Sequence, residues 1–355
     1  MGIADRGAGA VSQGRVKESR GPYRPRRRAD SRLPVYGAID LGTNNCRMLM
    51  ARPTDDGFRV VGSFSRIVRL GEGLADSGHL GDDAIERTMA ALKVCTERMR
   101  DRSASRVRGV ATEACRVALN CEAFLGRVKA ETGLHLETIS AREEADLALA
   151  GCSALLDGRR LRAVVFDIGG GSTEIMWTEC PEGGKPRILD MLSLPYGVVS
   201  LAEQYGGGTL SGPAFEEIVE RVDNDLTSFE ARNGIAGQVA GDHVQMLGTS
   251  GTVTTVAAFH LGLARYDRAR VDGIVVDRDS IAGVCRRLAQ MDYATRVDHS
   301  CIGPQRADLV VVGCAVLKAI CRRWPAKGVR VADRGIREGL LTGMMADDAT
   351  RARLS

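Results

Sequence analysis

Two stretches of this 355-residue chain follow one plan: AIDLGTNN (38–45) and VFDIGGGS (165–172) each run an apolar strand into Asp, an apolar residue, Gly and a small polar turn. Such a repeat implies two similar halves, because a self-similar segment specifies one supersecondary unit used twice. The surrounding pattern agrees. From residue 34, VYGAID, CRMLMA and FRVVGSFSRIVRL alternate as strands, broken by turns at 42–45 and 53–57. A helix over 82–101, a strand VRGVAT, a helix over 121–132, a strand LHLETI and a helix over 141–156 follow. At 162 the order restarts with RAVVFDIG, TEIMWTE and RILDMLSL, helices over 198–205 and 212–232, the strand VQMLGTS and another helix. The expected fold is α/β, with a mixed sheet in each of two similar domains and a ligand site in the cleft between them. Asp40 and Asp167 should then face one another across that cleft.

The second repeat invites an anion. Glycines at 169, 170 and 171 let backbone N–H groups converge on a ligand, and Ser172 and Thr173 add hydroxyls. The dinucleotide fingerprint fails here, since Gly169 and Gly171 are followed by Glu174 and then a strand, and no Walker-type GxxxxGK[ST] occurs. What survives is an acidic hairpin able to hold both metal and phosphate. A third small-residue turn, LGTSGTVTT (247–255), leaves a strand and enters a helix, placing Gly248, Ser250 and Gly251 where a helix N-terminus holds an anion. In SAREEADLALAG, Ser140 suits an N-cap and Glu143 completes a capping box, so Glu144, about 100° further round, is free to enter the cleft. Arg116 in VATEACRVALN is either a solvated helix residue or a fork for phosphate oxygens.

Composition narrows the class. With 44% hydrophobic residues the chain can bury a large core, and its longest apolar run, LVVVGCAVLKAIC (309–321), is too short to span a bilayer. No signal-like N-terminus is present, so a cytoplasmic protein with reduced cysteines is expected. None of its ten cysteines forms a CxxC pair, and the five histidines lack metal-ligand spacing, which argues against zinc. Residues 1–30 carry eight Lys/Arg and three Asp/Glu; this net +5 exceeds the chain's formal +4, leaving the remainder near −1. The basic tail, bounded at 1–32, is expected to be disordered, with polyanions as its candidate ligands. No specific nucleic-acid site and no membrane partner are read from the rest, and a homodimer is left open.

Taken together, YGAIDLGTNNCRMLMA, VATEACRVALN, SAREEADLALAG, VFDIGGGSTEI, LGTSGTVTTVAA, QRADLVVVGCAVL and VADRGIREGLL resemble, in order over about residues 35–345, the exopolyphosphatase and guanosine pentaphosphate phosphatase family. That family belongs to the actin, sugar kinase and heat-shock chaperone ATPase superfamily. The resemblance implies two RNase H-like (actin-like ATPase) domains, at 33–160 and 161–330, with a C-terminal helix over 331–355 packing back towards the first. It implies catalytic roles for Glu144, which activates water, and Arg116, which grips phosphate. Asp40, Gly42, Thr43 and Asn44 map to one phosphate loop and Gly169, Gly170, Gly171, Ser172 and Thr173 to the other, with Asp167 and Glu174 as carriers of Mg2+. The implied reaction releases terminal phosphate from polyphosphate. Alternatives are the 5′-phosphatase reaction on guanosine pentaphosphate, a kinase, or a sensor that binds without turnover. Polyphosphate is preferred because three phosphate-capable turns are legible and no base-stacking aromatic is. Two departures from the family are LPYG at 194–197 in place of LPLG and an early end after REGLL, which puts processive action on long polymers in question.

Overall fold

Eleven strands build two sheets in the computed structural model, which describes residues 33–354 apart from 207 and 209. The expectations for the tail at 1–32 lie outside the described residues. In the first sheet, β1 (Val35–Leu41), β2 (Asn45–Thr54) and β3 (Gly57–Ile67) form an antiparallel meander, and β4 (Ala104–Ala111) and β5 (Leu136–Thr138) join parallel to β1, in the order β3-β2-β1-β4-β5. The second sheet repeats the scheme. Its meander is β6 (Arg162–Ile168), β7 (Thr173–Glu179) and β8 (Arg187–Leu194), and β9 (Val244–Thr249) and β11 (Gly328–Ala332) extend parallel from β6. An antiparallel edge strand, β10 (Val275–Asp277), closes the order β10-β11-β9-β6-β7-β8. The duplication in sequence is therefore a duplication of topology.

Burial explains which strands read as continuous apolar runs. β1 is buried along its whole length, and β6 nearly so, because helices cover both faces of each sheet. Met48, Met89, Leu92 and Phe124 pack on the outer face of the first sheet, and Phe166, Phe229, Ile218 and Trp324 on that of the second. Between the sheets lie two helices, Ala141–Cys152 and Ile336–Leu354. Ala148, Ile336, Leu340 and Leu341 pack on Ala38 and Leu49 of the first sheet, while Ala145, Leu149 and Cys152 pack on Val165, Met176 and Leu247 of the second. The helix bearing Glu144 thus touches both halves.

Glycine lets these two helices approach closely: a Cβ on Gly151 would fall on the Gly335 carbonyl, and one on Gly339 on the Leu147 carbonyl. Local details differ from the periodicity. The helix expected over 141–156 ends at Cys152 in a short 3-10 turn, and the one expected over 212–232 breaks at Leu226 into Gly212–Asp225 and Thr227–Asn233. Leu226 is fully buried under that break, so packing overrides the continuous pattern. The C-terminal helix starts at Ile336, because 328–332 are strand β11.

Candidate functional site

The hairpin ends of the two meanders meet. A Cβ on Gly170 would lie 3.0 Å from the Asn44 nitrogen and 3.1 Å from the Thr43 Cβ, and one on Gly171 would lie 2.7 Å from Thr43 Oγ1. These glycines are therefore required by loop-to-loop contact. Not every loop N–H remains for a ligand: Gly42 donates to the Asn45 carbonyl and Gly169 to the Ser172 carbonyl, each at 2.9 Å, closing the two turns. The carbonyls of Thr43, Asn44 and Gly170 accept backbone bonds, but the N–H groups of Thr43, Asn44, Gly170, Gly171 and Ser172 donate none among the described residues and are left over as loop donors.

A cleft of about 820 Å³ opens beside these turns, lined among others by Asp40, Asp167, Glu144, Ser172 and Thr249. The third turn, at Ser250 and Gly251, lines it too and starts the helix Gly251–His260. Ser250 sits at φ 105, a region that L residues rarely occupy, and its Oγ is buried with no partner. The Oδ1 of Asn44 is likewise buried and unpaired. Strained backbone and orphaned polar atoms at one cleft are what a preorganised ligand site retains.

Four of the predicted residues, Arg116, Thr173, Glu174 and Gly248, do not line the cleft; Arg116 and Glu174 stand behind it, bonded to Glu144 and Ser172, which do. Thr173 is fully buried and its hydroxyl donates to the Tyr196 carbonyl at 2.6 Å. Gly248 is small because Phe166 packs over it, a Cβ there meeting the ring at 2.6 Å.

The acidic and basic groups are arranged in pairs. Ser140 caps its helix by accepting the Glu143 N–H at 3.1 Å, and the Glu143 carboxylate then takes a bond from Arg108 at 2.7 Å. Glu144 points into the cleft instead and accepts from Arg116 Nη1 at 2.6 Å. Arg116, on the short helix Glu113–Val117, also binds Glu113 through Nε at 2.9 Å and the Ile139 carbonyl at 3.1 Å. Burial, and then the Glu174 charge, raise the Glu144 carboxyl well above its ordinary range, and Arg116 only partly offsets them.

On the second hairpin Asp167 and Glu174 are directly paired across β6 and β7, so their side chains share a face. Glu174 Oε1 accepts from Ser172 at 2.6 Å and Ser193 at 3.1 Å. Burial pushes Asp167 up to about 6 and Glu174 up to about 7, Glu174 also feeling the Asp167 charge.

On the first hairpin the residue paired with Asp40 is Arg47. Burial raises Asp40, and Arg47 lowers both Asp40 and Asp167. Arg47, Arg66, Arg306 and Arg337 all line the cleft, and none of the four forms an ion pair among the described residues. Burial pushes Arg306 and Arg337 down, but a guanidinium stays charged at neutral pH. These cations went unassigned in the sequence, although Arg47 stands seven residues after Asp40 just as Glu174 stands seven after Asp167. Phe64 and Tyr266 also line the cleft, so aromatic faces are present despite the expectation of none.

The donor set suits a hard divalent cation, being made of carboxylate and hydroxyl oxygens around two mutually repelling acids. Among the described residues no group of three or more His, Cys, Asp or Glu is placed to enclose a metal. An ion held here would complete its shell with water and ligand oxygens, the habit of Mg2+. No described helix is long and apolar enough to cross a membrane.

A duplicated α/β frame whose paired turns and unpaired arginines converge on one cleft defines a phosphate-handling class. Within it, the chain belongs to the Ppx/GppA phosphatase family, whose model matches residues 49–348. It is 29% identical over 321 residues to a guanosine-5'-triphosphate,3'-diphosphate pyrophosphatase from Aeromonas salmonicida, covering 89% of this chain and 60% of that protein. The chain thus spans three fifths of that curated relative. Among solved structures, the Ppx/GppA family member of Aquifex aeolicus superposes with a TM-score of 0.73 at 26% identity, covering 89% of this chain and 99% of that one. An exopolyphosphatase-like protein superposes with a TM-score of 0.78 at 27% identity, covering 88% and 97%.

Proposed function

We propose that the chain is a hydrolase that releases the terminal phosphate of phosphoanhydride chains, with inorganic polyphosphate as its main substrate. The observation that carries this reading is Glu144: a buried carboxylate of raised pKa, clamped by Arg116, at a cleft lined with arginines that have no carboxylate of their own. A base whose pKa is raised towards neutrality both holds a water and accepts its proton effectively. Glu144 orients and deprotonates the attacking water, and Arg116, whose fork is held by Glu113 and Glu144, meets the oxygens of the terminal phosphoryl group by exchanging those carboxylates for them. The N–H groups of Thr43, Asn44, Gly170 and Gly171 and the helix start at Gly251 fix that group's position. Asp167 and Glu174 would hold Mg2+, which when bound supplies charge neutralisation to the phosphate oxygens. Arg47, Arg306 and Arg337 take the rest of the polyanion, in a cleft formed between residues 33–160 and 161–330.

Hydrolysis of guanosine pentaphosphate to the tetraphosphate is the second reading, favoured by Tyr266 on the cleft wall, since a base can stack on an aromatic face; the Phe64 ring already carries Arg66 and Arg98. Phosphate release with Mg2+ measured side by side on short polyphosphate, long polyphosphate, guanosine pentaphosphate and ATP tests both. The highest kcat/KM is expected on short polyphosphate. A higher value on guanosine pentaphosphate would select the second reading, and binding without release from any of the four would make the protein a sensor.

A further inference from the structure

Ten cysteines are free and buried among the described residues, and six of them form three neighbouring thiol pairs. Cys46 with Cys95 and Cys285 with Cys314 lie inside the outer cores, at most 2% exposed, where no solute reaches them. Cys115 and Cys121 belong to the first sheet's outer core too, 4% and 8% exposed, but stand beside an opening in it. Both line a second cavity of about 450 Å³, with Glu122, Lys129, His135 and Thr138 on its wall. Cys115 lies in the helix Glu113–Val117 and Cys121 is the first residue of the helix Cys121–Thr132. The segment joining them turns back on itself through bonds from Ala118 N–H to the Ala114 carbonyl and from Cys121 N–H to the Ala118 carbonyl. Its Val117 and Leu119 are 53% and 78% exposed, but Leu119 donates its N–H to the Gly78 carbonyl at 3.0 Å and the Asn120 side chain bonds both backbone groups of Leu80, so a pull on Cys115 is not absorbed by the loop.

The two thiols have different reactivity. The neighbouring Cys115 thiol, and the Thr138 hydroxyl 4.0 Å away, hold the Cys121 thiol down at about 7 against the opposing effect of burial. Its place at the start of a twelve-residue helix favours the thiolate as well. Cys115 is pushed up and stays protonated, chiefly by the neighbouring Cys121 sulfur. Cys121 is thus the nucleophile and Cys115 the resolving thiol. Beside Cys115 in the chain stands Arg116, whose guanidinium holds Glu144 at 2.6 Å.

We propose that Cys121 and Cys115 form a peroxide-sensitive pair whose oxidation to a disulfide displaces Arg116 and suppresses phosphate release. The Cys121 thiolate attacks one peroxide oxygen; the O–O bond breaks, hydroxide leaves and is protonated to water, and Cys121 becomes a sulfenic acid. The Cys115 sulfur then attacks that sulfur, forming the S–S bond, while the hydroxyl leaves with the Cys115 proton as a second water. Two electrons pass from the thiols to peroxide, and a dithiol reductant returns them. The effect on turnover rests on the hydrolase reading above; the disulfide itself does not.

The test uses the full chain, reduced, freed of reductant and exposed to hydrogen peroxide. Tryptic peptides 109–116 and 117–127 should become linked, and kcat should fall about tenfold or more, since small displacements of a positioning group cost that much. Dithiothreitol should restore both. Cys121→Ser should keep its turnover under peroxide, and Cys115→Ser should accumulate a sulfenic acid on Cys121 that dimedone labels. Absence of the 109–116 to 117–127 linkage in an active enzyme, or equal peroxide inhibition of Cys121→Ser, would overturn the proposal. Linkage in a protein that releases no phosphate even when reduced would instead count against the hydrolase reading alone.

Discussion

The first and second hairpins share a strand order, a seven-residue spacing and a turn of small residues, yet they carry opposite charge at the matching place. In the first, Asp40 faces Arg47; in the second, Asp167 faces Glu174. The frame is the same in both, and the difference at one register position fits them for different jobs in the proposed reaction. A pair of acids repels, and its ordinary remedy is a cation; an acid beside a guanidinium leaves a site that can receive an anion. The loops that carry these pairs touch through Gly170, Gly171, Thr43 and Asn44, so in the proposed hydrolase the two jobs would fall on adjacent atoms of one ligand.

The largest expected effect falls on the group that neither hairpin provides. Glu144→Gln keeps volume and hydrogen-bonding capacity but cannot take a proton from water, so turnover should drop about 10²-fold or more at nearly unchanged substrate affinity. Full turnover would remove the base. Because the carboxyl is raised, the acid limb of kcat should lie above the ordinary range of glutamate: activity requires the ionised form and is lost as pH falls through the folded-state value.

Next in size is the packing that backs the second loop, where Gly197, at the start of the helix Val198–Tyr205, lies against it. A Cβ on Gly197 would fall on the backbone of Gly170 and Gly171, so Gly197→Ala should cost about 1–3 kcal/mol and lower turnover about tenfold by shifting the second loop. Unchanged thermal unfolding would show that the second loop is not held by this contact.

A smaller effect concerns pH and metal. Asp167 at about 6 and Glu174 at about 7 stand above their unfolded values of 3.8 and 4.5, so folding favours their protonated forms. That stability is fully present below the unfolded values and is lost as pH rises through about 6 to 7. Mg2+ should reverse the loss, and its effect on Tm should be greater at about pH 8 than at about pH 5.5. A Tm increment independent of pH would detach the ion from this pair.

The smallest effect is expected at Glu143→Gln, whose carboxylate bonds the partly exposed Arg108; it should keep nearly all its stability and turnover.

Much of this comparison was legible from residues alone. The repeat of Asp, apolar, Gly and small polar turn located both hairpins, and helix geometry separated Glu144 from Glu143 because a 100° step and an N-cap are local properties. Arg306 and Arg337 were not legible, since an arginine that reaches a cleft across a domain has the same local pattern as a solvated one. The glycines were read as room for phosphate, whereas 170 and 171 make room first for the opposite loop, a fact that exists only once the halves are packed. Thr173 and Gly248 show the converse: each stands in a motif but spends its side chain, or its lack of one, on the core.

The central claim, that the matching positions of the two hairpins do different work, is tested most directly by measuring phosphate release over a grid of Mg2+ and short polyphosphate concentrations for Arg47→Gln and Glu174→Gln. Glu174→Gln should raise the Mg2+ concentration needed for half-maximal rate while leaving KM at saturating metal near its original value. Arg47→Gln should raise KM and leave the metal requirement unchanged. If both variants shift the two constants alike, or if each shifts the other's, the division of labour between the hairpins is contradicted.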